Sequence, residues 1–171
     1  MKYPSLLLAP ISLAALLSSA CAGLEPESMV PGQLQVGDPH HGSVHVDALG
    51  SKPVGGQALA QAVATSLATT HMFDSVVESA EEDSDWVLTV TVTDLERDSP
   101  GLTMSTKTTI DWSLRAASAT KSVWSQTIVT GYTATPDDTP FVEDRGRLAT
   151  GHAVRENIRR ALVALGELEL D

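Results

Sequence analysis

The chain has 171 residues, with 22 acidic against 11 basic side chains and a single cysteine. So acidic a protein is repelled by nucleic-acid phosphates and by anionic lipid surfaces, and one cysteine cannot close an intramolecular disulfide. The length suits one domain plus targeting sequence, and the apolar share of 42% is enough for one modest core.

The first element is an export signal. Lys2 makes a positive start, and Leu6, Leu7, Leu8, Ile11, Leu13, Leu16 and Leu17 form an apolar run broken only by Pro10. The run is too short for a permanent membrane span, so residues 1–20 read as a signal peptide. Small residues Ser18, Ser19 and Ala20 precede Cys21. The stretch Leu17-Ser18-Ser19-Ala20-Cys21 resembles a lipobox, the site of bacterial signal peptidase II, with cleavage between Ala20 and Cys21. The commonest pattern has Leu three residues before the cysteine; here Ser18 holds that place and Leu17 stands one earlier. The resemblance implies a diacylglycerol on the Cys21 thiol and an acyl chain such as palmitate on the freed amine. Two or more chains hold a protein stably to a bilayer, whereas one does so only marginally. In such lipoproteins Asp after the cysteine usually means inner-membrane retention. Ala22 stands there, which implies the outer membrane, with the protein facing the periplasm.

Residues 21–42 follow as a lipidated cysteine and a tether, punctuated by Gly23, Pro26, Pro31, Gly32, Gly37, Pro39 and Gly42. The folded periplasmic domain is expected over residues 43–171. Val44, Val46 and Ala48 alternate with polar residues as a short strand. From Gln57 to Met72, Leu59, Ala62, Val63 and Leu67 recur at helical spacing. Phe73, Val76 and Val77 suggest a brief strand, followed by an acidic turn at Glu81, Glu82, Asp83 and Asp85. Three strands come next. Trp86, Leu88, Val90 and Val92 share a face of the first; Met104, Ile110, Trp112 and Leu114 share a face of the second; Trp124, Ile128 and Tyr132 share a face of the third. A long helix from about Asp144 to Leu168 carries Val154, Ile158, Ala161, Leu165 and Leu168 as its apolar stripe. The order β-α-β-β-β-β-α predicts a two-layer α+β sandwich. Its sheet of four to five strands is expected to be mostly antiparallel, with two helices on one face and a Thr/Ser-rich face left open. The first β-α-β reads as a right-handed crossover.

Within this order, His71-Met72-Phe73-Asp74-Ser75-Val76 after an Ala-rich helix, then Asp85-Trp86-Val87-Leu88-Thr89-Val90, resembles an arrangement of small envelope lipoproteins. LptE, YajG-type lipoproteins and the N-terminal domain of TolB share it. The stretch Arg147-Leu148-Ala149 through Ala153-Val154-Arg155-Glu156-Asn157-Ile158 is similar to their final helix. The resemblance covers about residues 43–168. It implies the same fold and a role in binding other envelope components rather than catalysis.

Three features are candidates for that role. Arg145, Arg147, Arg155, Arg159 and Arg160 form a basic region suited to lipid phosphates or a carboxylate-bearing partner; a solvated helix face is the plain alternative. The Thr/Ser face, or an edge strand beside it, could dock a protein. His40, His41 and His45 stand close together and could bind zinc or copper, which would make this a metal-binding periplasmic lipoprotein. Otherwise no cofactor is expected. No nucleophile elbow, His-Glu-x-x-His motif or Gly-rich phosphate cradle occurs, so an envelope hydrolase is the remaining, weaker reading. The expectation is thus a non-enzymatic outer-membrane lipoprotein, held by its lipid, whose domain binds or scaffolds another envelope protein or lipid component and no nucleic acid.

Overall fold

The structure is a computed structural model that describes residues 23–78 and 84–170. The signal peptide, Ala20, Cys21 and the acidic residues Glu81, Glu82 and Asp83 lie outside them. In chain order the elements are α1 (Pro26–Met29), β1 (His40–Leu49), α2 (Gly56–Thr70), β2 (Phe73–Val77), β3 (Trp86–Asp98), β4 (Met104–Ala116), β5 (Trp124–Ala134) and α3 (Val142–Leu165).

The strands form one sheet in the order β2-β1-β3-β4-β5. The expected α+β sandwich is present, but its sheet is mixed: β1 runs parallel to both β2 and β3, and only β3, β4 and β5 pair antiparallel. The helix α2 makes the β1–β2 crossover, which requires parallel strands. The second parallel pair follows from stagger. Val77 ends β2 opposite His45, and Trp86 begins β3 opposite Val44. The chain therefore passes from one side of β1 to the other without climbing back along a full strand.

Alternation along the strands sends one face to the helices. Val44, Leu88, Val90, Ile110, Trp112, Leu114 and Ile128 are buried there, closed over by Leu59, Val63 and Leu67 of α2 and by Val154, Ile158, Leu162 and Leu165 of α3. A register shift between Val92 and Asp94 changes the phase of β3. Beyond it Leu95 and Arg97 point to the helix side, and the Arg97 guanidinium reaches the Thr150 hydroxyl of α3 at 3.3 Å.

The expected tether is, from Leu24 onward, part of this body, and the folded region begins well before Ser43. Leu24 and Met29 are buried, and Val30, Leu34 and Val36 pack against the core. Both Nε and Nη2 of Arg155 donate to the Ser28 carbonyl, at 3.1 and 2.6 Å. Gly151 makes room for this: a Cβ there would lie 3.3 Å from the Ser28 hydroxyl. Further on the chain crosses the end of α3 so closely that a Cβ on Gly37 would collide with the Gly166 carbonyl. Apolar side chains spread among prolines and glycines show no period, yet they can still pack across two helices.

Candidate functional site

The three histidines sit close in sequence and go to different places. The His40 ring is buried, with Nε2 2.9 Å from the Leu165 carbonyl and the ring centroid 5.3 Å from that of Phe73. His41 is fully exposed, 3.8 Å from Asp74. His45 Nδ1 lies 3.3 Å from the Val77 carbonyl. The cause is a bulge at Gly42, whose φ of 96° breaks the alternation of β1. The bulge is held by two carboxylates: Asp74 accepts from the Gly42 N–H and Asp85 from the Ser43 N–H, each at 2.7 Å. The Ser43 amide, and after it the Ser43 hydroxyl, hold the Asp85 carboxyl below its ordinary pKa. Among the described residues no group of three metal-binding side chains occurs. The three candidate histidines are therefore not brought together as a metal site.

The arginines divide in the same way. Arg145 was expected as a contact residue; it is buried, and donates to the carbonyls of Leu102 and Pro140. It ties two loops together and presents nothing to a partner. Arg155 holds α1, as above. Arg159 and Arg160 both bind Glu156, at 2.7 and 2.8 Å. The Arg159 hydrogen bond is the main reason the Glu156 carboxyl falls to about 2, and Glu156 in turn raises Arg159. Arg147 pairs with Asp144 at 3.2 Å on an exposed turn. Arg147, Arg159 and Arg160 thus form local pairs along α3, three or four residues apart, as helix geometry favours.

Two adjoining depressions follow the outer side of α3. The first, about 400 Å³, is lined by Gly23, Leu24, Ser28, Leu148, Gly151 and others; the second, about 350 Å³, by Pro31, Tyr132, Glu156 and Arg159 among others. They meet at His152 and Arg155. Tyr132 of β5 stacks on His152 with centroids 4.4 Å apart. Burial, then the neighbouring Arg155 charge, lowers the His152 pKa, so the ring is neutral at neutral pH. The stacked ring itself offers shape and surface, while the charge at this junction comes from Arg155, Glu156 and Arg159 around it.

The opposite side of the sheet is open and polar. Thr89, Thr91, Asp111, Ser113, Ser125 and Thr127 border a shallow depression on it. The Thr127 hydroxyl donates to Asp111 at 2.6 Å, and Ser105 and Thr133 share a hydrogen bond across β4 and β5. At one margin runs β5, an edge strand of 11 residues with Val129 46% exposed on the open face. No strand among the described residues pairs with its outer side.

Sequence reasoning missed the polar seam beneath α3. Asn157 is fully buried; its Oδ1 accepts from Trp112 Nε1 at 2.8 Å, and its Nδ2 donates to the Ile128 carbonyl and the Thr130 hydroxyl. Thr130 donates to the Ala153 carbonyl, and Thr106 bonds Thr150. A faint signal existed: Asn157 stands among apolar stripe residues, beside Ile158. Trp112 is a core anchor as expected, with Trp86 and Trp124 half-buried around it.

No family model matches the chain, and no curated protein matches it. Solved structures do. Protein XCC0632 from Xanthomonas campestris, of the family DUF330, aligns with a TM-score of 0.59 at 13% identity, covering 80% of this chain and 93% of that one. A candidate lipoprotein from Caulobacter crescentus aligns with a TM-score of 0.53 at 18% identity, over 72% of this chain and 87% of that one. PelC from Paraburkholderia phytofirmans, a dodecamer, aligns with a TM-score of 0.51 at 17% identity, over 80% and 93% respectively. At such identities what is shared is the fold, and the chain therefore carries an α+β architecture found among bacterial lipoproteins.

Proposed function

We propose that this chain is an outer-membrane lipoprotein, anchored through Cys21 and facing the periplasm, whose domain binds another envelope protein along β5. The lipobox-like stretch before Cys21 and the shared fold with a candidate lipoprotein support the anchor. The observation that carries the binding role is the edge of β5: 11 residues, on the margin of a polar open face, with no strand on its outer side among the described residues. Such an edge presents backbone donors and acceptors that a partner strand can satisfy, while neighbouring side chains select the partner. Val129 stands exposed on that face and supplies an apolar contact. The arginines are a weaker choice, because Arg145, Arg155, Arg159 and Arg160 are already engaged within the chain.

Photo-crosslinking in cells tests the reading. A photoreactive residue in place of Val129 should give a discrete adduct that one in place of the exposed Gln61, on α2, does not give. The same adducts from both positions, or none from Val129, would refute the edge as the site. One structural neighbour is a dodecamer; an adduct with the mass of two copies of this chain would identify the partner as a second copy.

A further inference from the structure

We infer that the end of the domain bearing Leu102, Phe141 and Val142 rests in the surface of the bilayer that holds the anchor. This rests on the attachment at Cys21 proposed above. Leu102 is 69% exposed, Phe141 67% and Val142 54%, half of the six large apolar side chains left exposed among the described residues. They come from two separate stretches, the β3–β4 turn and the start of α3. Arg145 fastens the two together from beneath, donating to the Leu102 and Pro140 carbonyls. A clustered, held apolar patch marks an interaction surface where scattered residues would not.

What selects a bilayer as the occupant is the point where the N-terminus leaves the body. Gly23 lines the same groove as Asp144, and Asp144 is three residues from Phe141, about 4.5 Å of helix rise. Leu24 is already buried, so only Ala22 and Gly23 separate Cys21 from the packed chain. The three steps from Cys21 to Leu24 span at most about 11 Å. A lipid on Cys21 therefore holds this end of the domain near the membrane, with too short a lead to present the other. The opposite end is far away: β4 has 13 residues, about 40 Å of strand, and Val123 sits beside its far end, its N–H bonded to the Leu114 carbonyl. Next to the patch in sequence stand Asp98, Asp137, Glu143 and Asp144. With such neighbours the contact is apolar insertion rather than adsorption to anionic lipid, and should be indifferent to salt.

The test uses the full chain, processed and lipidated in a bacterial host, carrying Leu102→Cys or Val123→Cys labelled with an environment-sensitive fluorophore. It is reconstituted into phosphatidylethanolamine–phosphatidylglycerol vesicles containing bromolipid. The label at 102 should be blue-shifted and quenched at least twofold more than that at 123, equally at low and high salt. Vesicle-bound protein quenched alike at both positions would overturn the orientation. Protein that stays off the vesicles, with Cys21 itself taking up the fluorophore, would overturn the anchor, so the two failures are distinguishable.

Discussion

At the scale of single residues, α3 places very different demands on neighbours. Asn157 satisfies an indole N–H, a backbone carbonyl and a hydroxyl inside the core. Asn157→Ala would strand them, at about 1–3 kcal/mol for each buried group left unpaired. A net loss of about 3 kcal/mol should lower the melting temperature by about 6–12 °C in circular dichroism. Ile158 is fully buried, and Ile158→Ala should cost about 2–5 kcal/mol. Arg159, exposed and paired only with Glu156, should cost under about 1 kcal/mol as Arg159→Ala. Equal losses at 158 and 159 would mean the helix is rotated. Glu156 adds a pH signature. Its folded pKa, about 2, lies below the ordinary 4.5, so the native state favours the carboxylate. The resulting stability is complete above pH 4.5 and disappears as pH falls towards 2. For a solvent-facing helix pair it amounts to a few tenths of a kcal/mol up to about 1. Melts of wild type and Glu156→Gln should differ by about 1–4 °C at pH 6 and converge near pH 2.

At the scale of elements, the N-terminal segment is the part most misread by composition. Met29 has no exposed surface and Leu24 little, and Arg155 ties the Ser28 carbonyl to α3. A chain beginning at residue 38 should therefore melt far below one beginning at residue 22, and Met29→Ala alone should cost about 2–5 kcal/mol. If the two chains melt together, the segment adds nothing to the fold. Strand β5 behaves oppositely: its outer edge serves no described neighbour. Val129→Lys should leave the melt within about 0.5 kcal/mol while blocking strand addition, since a lysine on an edge discourages pairing. Loss of the crosslinked adduct without loss of stability is the expected result.

At the scale of the whole molecule, the proposed anchor would set the geometry. Cys21→Ser should abolish labelling by a clickable fatty acid and release the protein from membrane fractions; labelling equal to wild type would exclude Cys21 as the attachment point. In a host that sorts by the residue after the cysteine, Ala22→Asp should move the protein from outer- to inner-membrane fractions. No helix among the described residues is long and apolar enough to cross a membrane. The proposed membrane contact runs through the lipid and the Leu102–Phe141–Val142 end, with β5 left accessible along the side of the domain.

The sequence by itself determined the order of the main elements and the buried face of nearly every strand, because these are local. Period-two and helical alternation are written residue by residue, and Val44, Leu88, Trp112 and Ile158 are buried as their periods require. Only the tertiary structure decided the direction of β1 relative to β3, which depends on where separate strands start and stop. It also decided the fate of residues 24–36, which pack on α2 and on α3, the latter more than a hundred residues away. The separate paths of His40, His41 and His45 follow from one bulge, and the engagement of the arginines from the loops and carboxylates that folding brings within reach. Charge and spacing in a sequence identify which groups are present; whether they are free to act is set by what the fold places beside them.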